Sequence, residues 1–214
     1  MPELPDVALY VEHLTRRLAG RPLERVRVAS PFLVRTVAPP LSSAEGKTVR
    51  GVRRLGKRVV FELEGGPFLA VHLMIAGRFH WKDAPRAPVP KKVGLAAFDL
   101  PGATLLLTEA SPKKRAALHV VATEEELAAL SRGGIEPLEA DLASFAAALR
   151  SESHTIKRAL TDPRLFAGIG NAYSDEILHA AGMSPFALTR KLDDAEVTRL
   201  FEATRSTLSS WLER

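Results

Sequence analysis

Residues 154–185 read HTIKRALTDPRLFAGIGNAYSDEILHAAGMSP, and this stretch decides the architecture of the C-terminal third. Two helical segments flank TDPRLFAGIG, which is too long for one tight turn. Pro163, Gly168 and Gly170 predict two successive turns in its place. Thr155 is placed to cap a helix over 156–162, and Asn171 to cap one over 172–181 that Gly182 ends. Glycines beside a helix N-terminus bare N–H groups at the positive end of the helix dipole, a setting that holds anions. Asn171 reads there either as a cap or as a donor to phosphate.

Outward from this stretch the helical pattern continues. Asp193 with Glu196 forms a capping box for a last helix, whose Val197, Leu200, Phe201, Leu208, Trp211 and Leu212 make an apolar stripe. Asp141 caps a helix over 142–150, and SRGGIEPLEAD (131–141) reads as a linker. Upstream the period changes. ERVRV, TVRGVRRL, KRVVFEL, FLAVHL, GLAAFDL, ATLLLT and ALHVV are short β-like runs between residues 23 and 122, separated by turn signals. Thr123 and Glu126 start a short helix after them. A first helix over 6–19 carries Val7, Tyr10, Val11, Leu14 and Leu18 at helical spacing and stops at Gly20. The predicted fold class is α+β: an N-terminal antiparallel β-sandwich with a long N-terminal helix, followed by an all-helical helix-two-turns-helix domain. The predicted boundaries are 1–131, a linker at 132–140, and 141–214.

The 214 residues are 46% hydrophobic and 26% charged, as in ordinary globular proteins. No apolar run reaches the roughly 18 residues that cross a bilayer. Glu3, Asp6 and Glu12 interrupt the place of a secretory signal, so a cytoplasmic location and no membrane partner are expected. With no cysteine, disulfides, cysteine-ligated zinc and thiol catalysis are excluded. The net charge of +5 is concentrated: residues 46–58 hold six basic residues and no acid, and Lys113-Lys114-Arg115 form a second cluster. Such clusters fit a phosphate backbone or a solvated basic face. The terminus MPELPD allows a helix lead-in with Pro5 and Asp6, or a terminus that is itself reactive.

Four segments taken together, MPELPD, GKRVVFEL, HLMIAGRF and IKRALTDPRLFAGIGNAYSDEIL, resemble the formamidopyrimidine-DNA glycosylase / endonuclease VIII family of bifunctional base-excision enzymes. The match runs nearly the whole chain in the family's order. The resemblance implies DNA bound between a β-sandwich and a helix-two-turns-helix domain. It implies removal of Met1, attack by the amine of Pro2 on C1′ of a damaged nucleotide, and a Schiff base, with Glu3 carrying protons. An α-amine has a pKa of about 7.7–8.0, so part of it is unprotonated near neutrality. Lys57 then holds phosphate beside the lesion and assists strand cleavage. His72, Lys113, Arg115, Lys157, Gly170 and Asn171 are implied DNA contacts, and Asp6 supports the active site where the family has glutamate. The target nucleotide must leave the stack, and Met74 or Ile75 fills the void. Double-stranded DNA with oxidised bases or abasic sites is the implied partner, of a monomer in the bacterial nucleoid.

The chain departs from the family in three ways. It ends at Arg214 without the usual finger, so no metal or other cofactor is expected in it, a zinc finger belonging to a longer parent protein. SPKKRAA (111–117) stands where the family has DPRRFG, and Ile75 stands in the methionine's place. Met1, while attached, makes Pro2 an amide. The expected function is a DNA repair glycosylase with AP-lyase activity. Its alternatives are a non-catalytic binder of abasic or damaged DNA and an RNA-binding or ribosomal protein.

Overall fold

The structure, a computed structural model, describes residues 1–213. By internal contacts the chain divides into two units, one of residues 1–2 and 7–130, the other of residues 3–6 and 131–214.

In the first unit, alternating apolar residues give eight strands: β1 (Arg25–Val28), β2 (Val49–Leu55), β3 (Arg58–Leu63), β4 (Phe68–His72), β5 (Gly77–Lys82), β6 (Gly94–Leu100), β7 (Ala103–Glu109) and β8 (Ala117–Val121). They form two four-stranded antiparallel sheets, in the orders β1-β6-β7-β5 and β2-β3-β4-β8. One core lies between the sheets. It includes Phe61, Leu69 and Leu118 from one and Phe98, Leu105 and Leu107 from the other, closed by Val7, Leu14 and Leu18 of helix α1 (Leu4–Leu18). Seven strands correspond to the runs seen in the sequence. The eighth, β5, went unpredicted, although GRFHWK alternates and buries Gly77 and Phe79 between exposed Arg78 and His80. Gly77 is obligatory, because a Cβ there would lie 2.3 Å from the carbonyl oxygen of Leu73. A short helix, α2 (Glu124–Ala128), seats Leu127 against Val60, Ala70 and Val121 on the outer face of the second sheet.

The second unit contains α3 (Leu142–Arg150), α4 (Ile156–Thr161), α5 (Asn171–Ala181) and α6 (Asp194–Leu212). Asp141, Thr155 and Asp193 cap α3, α4 and α6 as their positions predict, and Asp193 with Glu196 completes a capping box. Phe145 is the hub of the core, with ring centroids 4.9 Å from Phe166 and 5.4 Å from Phe201. Phe166 belongs to the two-turn segment, so that segment is anchored in the core. The unit is not purely helical. Isolated β-bridges join Ile135 to Phe166 and Thr155 to Leu188. Through the first, the stretch expected as a linker is bound to the two-turn segment. Ile135 N–H donates to Leu165 O (3.0 Å), and Ala167 N–H donates to Ile135 O (2.8 Å). Gly134 lies in close contact in this stretch, a Cβ there falling 2.6 Å from Pro163 O.

Candidate active site and nucleic-acid interface

The N-terminus of α5 is where sequence and structure differ most usefully. Gly170, not Asn171, is the N-cap, and Asn171 is the first helical residue with its side chain exposed. Gly170 has no side chain to cap with. Glu3 supplies the cap from the other end of the chain. Its carboxylate accepts N–H bonds from Gly170 (2.7 Å), Ala172 (3.0 Å) and Tyr173 (3.2 Å). The anion site inferred from the glycines therefore exists, and the protein's own carboxylate fills it. Glu3 is only 3% exposed. Its backbone N–H donates to Asp6 (2.9 Å), and Leu4 N–H donates to Gly168 O (2.9 Å), which ties the start of α1 to the two-turn segment.

Beside Glu3 lies a cavity of about 260 Å³ lined by Asp6, Ala172, Tyr173, Glu176 and Trp211. Burial pushes the Tyr173 phenol up to about 12, and the negative charges of Asp6, Glu3 and Glu176 add to the effect. Its hydroxyl stays protonated, a donor in a cavity rimmed by carboxylates. The Tyr173 ring meets Trp211 edge-on at 5.8 Å. The cavity thus offers aromatic faces with acceptors around them, which suits a flat group bearing N–H donors. Glu176 and the cavity were not foreseen; the signal was NAYSDE, where Tyr173 and Glu176 lie three apart on one helix face.

Lys157, read as a phosphate contact, is ion-paired with Asp175 at 2.6 Å. Asp175 lies one turn into α5 and offered no sequence cue that it would reach α4. A second charged cluster in this unit joins Glu152, His154, Asp162 and Arg164. There the guanidinium of Arg164 bonds both carboxylates and His154 bonds Glu152. Arg164 holds the Asp162 carboxyl below its usual range.

Pro2 is buried and follows Met1. Lys57 is in the two-residue turn of the β2–β3 hairpin, just before the strand, with Gly56 at φ +57° making the turn possible. His72 ends β4. Its Nδ1 accepts the Met74 N–H at 3.0 Å, which leaves the ring proton on Nε2. Burial pushes the His72 imidazole down to about 4, helped by the charges of Arg58, Lys57 and His119. The β4–β5 turn puts Met74 at φ +53° and leaves Ile75 60% exposed. Lys113 and Arg115 are both exposed on the β7–β8 loop. The buried carboxylate of Glu109 fixes that loop by accepting the Ala116 N–H (2.9 Å), and Lys114 donates to the Glu109 carbonyl. Glu109 was not singled out in the sequence, since a lone acid at a strand end looks solvent-facing. Among the described residues, Pro2, Lys57, His72, Ile75, Lys113 and Arg115 belong to the first unit, and Glu3, Asp6, Lys157, Gly170 and Asn171 to the second.

Comparison with known proteins gives one answer over the whole chain. Residues 1–118 match the formamidopyrimidine-DNA glycosylase N-terminal domain, and residues 134–214 match the formamidopyrimidine-DNA glycosylase H2TH domain. The formamidopyrimidine-DNA glycosylase of Thermus thermophilus is 35% identical over 217 residues, covering 100% of this chain and 76% of the relative. That of Moorella thermoacetica is 36% identical over 215 residues, covering 97% and 77%. Among solved structures, the Lactococcus lactis enzyme non-covalently bound to DNA containing an AP site superimposes with a TM-score of 0.89 at 25% identity, covering 99% of this chain and 82% of that one. The wild-type Lactococcus lactis enzyme in complex with DNA containing an oxidised pyrimidine gives 0.90 at 26%, covering 99% and 80%. With both domain families matched in order and relatives above 30% identity along its full length, the chain belongs to the formamidopyrimidine-DNA glycosylase family.

Proposed function

We propose that this protein is a DNA repair glycosylase that removes oxidised bases and then cleaves the abasic strand. The observation that carries the reading is Glu3: a buried carboxylate, one residue from Pro2, gripped by three backbone N–H groups beside a base-sized cavity. A mere helix cap needs no such cavity, and a terminal residue is rarely so firmly held.

In the proposed reaction Met1 is removed and the secondary amine of Pro2 attacks C1′ of the flipped nucleotide. The N-glycosidic bond breaks, and the base leaves with its electron pair and takes a proton. Loss of the ring oxygen's bond to C1′ gives the iminium, with Glu3 moving protons at the sugar. Loss of a C2′ proton then expels the 3′ phosphate, a step that a cation at Lys57 favours by offsetting the charge on the leaving group. The damaged base occupies the Asp6, Tyr173, Glu176 cavity. Ile75, aliphatic and exposed on its turn, enters the space the base vacates. Lys57, His72, Lys113, Arg115, Lys157 and Asn171 bind the backbone, Lys157 by exchanging Asp175 for phosphate. No metal or other cofactor takes part in these steps.

Non-catalytic binding is the second reading, favoured by one observation: the void-filling residues are altered, with Ile75 in the methionine's place and SPKKRAA at 111–117. Turnover on abasic DNA separates the two. Cleavage that disappears in Glu3→Gln while binding persists supports catalysis; binding with no cleavage by protein starting at Pro2 supports the alternative.

A further inference from the structure

The outer face of the second sheet carries two imidazoles in different states. Strand register places Arg58 opposite His72, His72 opposite Ala117, and Ala70 opposite His119. Arg58, His72 and His119 therefore share one face with Val60, Ala70 and Val121. Helix α2 covers the apolar half of that face through Leu127, and the basic half lies beyond it.

His72 is fixed as a neutral donor, since the Met74 N–H occupies its Nδ1. His119 is not fixed. Its Nδ1 is buried and has no hydrogen-bond partner. The charges acting on its ring are cations: Arg58 of β3, and Arg35 of the segment that runs beside β8, whose N–H donates to Leu118 O at 2.9 Å. Of the carboxylates on β3 and α2, Glu125 is exposed. Glu62 of β3 and Glu124 of α2 pair with Arg53, and Glu126 accepts the Ala122 N–H. Burial and the two guanidinium groups hold the His119 imidazole below its usual range. Buried beside two guanidinium groups, the imidazole resists a proton, and an oxyanion docked on this face reverses that local field.

We propose that His119 takes up a proton when a phosphodiester docks on the Arg58–His72–His119 face, so that DNA binding by this chain is proton-linked. The inference rests on the DNA-binding reading above and adds to it a division of labour, His72 donating at every working pH and His119 titrating. The sign follows from linkage. The free protein binds the His119 proton weakly and the complex binds it tightly, so between the two pKa values affinity rises as pH falls, by up to about tenfold per pH unit for one proton.

The test is fluorescence anisotropy with a labelled duplex carrying a tetrahydrofuran abasic analogue, at fixed salt, over about pH 5.5 to 7.5 where imidazoles titrate. The wild-type dissociation constant should fall toward acid. His119→Gln, which stays neutral, should lose up to one proton of that pH slope. In the wild-type protein, NMR of the His119 ring should show its pKa rising when duplex is added. Binding with the same pH slope in wild type and His119→Gln, or a His119 pKa that duplex leaves unmoved, would overturn the proposal alone. No binding by wild type at any pH would overturn the DNA reading and this inference with it.

Discussion

The two units present their candidate functional groups by opposite means. In the β unit the groups are cations and imidazoles set on strands and tight turns, where register alone fixes which side chains share a face. Arg58, His72 and His119 are neighbours because β3, β4 and β8 pair in sequence-distant order. In the helical unit the key group is an anion, and backbone N–H donors of α5 hold it rather than side chains. In the proposed reaction this contrast separates binding from chemistry. A polyanion is met by a dispersed set of cations, each replaceable at modest loss. A proton carrier must sit in one place, and three N–H donors give a carboxylate little freedom.

The comparison predicts that single changes in the helical unit's carboxylate site abolish function while changes on the β unit's basic face grade it. The largest effect is expected for Glu3→Gln, which should slow base excision about 10²- to 10⁴-fold in single-turnover assays, the usual range for loss of acid–base catalysis. A rate within tenfold of wild type would break the contrast. Next, Phe145→Ala should destabilise the protein by about 3–5 kcal/mol in denaturant melts, because a fully buried aromatic touching Phe166 and Phe201 is removed. A loss below about 1 kcal/mol would show that the helical core is not what holds the two-turn segment.

On the basic side, Lys57→Ala should weaken binding without abolishing it and flatten the plot of log affinity against log salt by about one unit. An unchanged slope would take Lys57 out of the phosphate contacts. Acid titration sharpens the same comparison. His72 has a depressed pKa when folded, so the unfolded chain binds its proton first. Stability present above 6.5 is then lost as pH falls from 6.5 toward about 4. Replacement of His72 by Asn should reduce that decline in melting temperature; an identical decline would assign it to other groups. The smallest effect is expected for Asp175→Asn. An exposed ion pair contributes about 0–1 kcal/mol, so stability should barely change, while release of Lys157 should tighten DNA binding slightly.

Local signals were legible in the sequence. Capping at Asp141, Thr155 and Asp193, the strand runs and the stop at Gly182 depend on residues a few positions apart. What was not legible depends on long-range pairing. The cap on α5 comes from Glu3, 167 residues away in sequence, so the local rule pointed to Asn171 instead. The pairing of Lys157 with Asp175, the pinning of the 110–116 loop by Glu109, and the meeting of His72 with His119 likewise need the fold before they can be seen. β5 was missed for another reason: its alternation is carried by a glycine and two aromatic residues, which read weakly as an apolar period.

The central claim is that the amine of Pro2 is the nucleophile and Glu3 its proton carrier. Borohydride trapping on duplex DNA with an abasic site tests it most directly, using protein whose N-terminus is verified as Pro2 by mass spectrometry. The account predicts a covalent protein–DNA adduct, absent from protein that retains Met1. No adduct from the verified Pro2 form, or equal trapping in the form with Met1 attached, would contradict it.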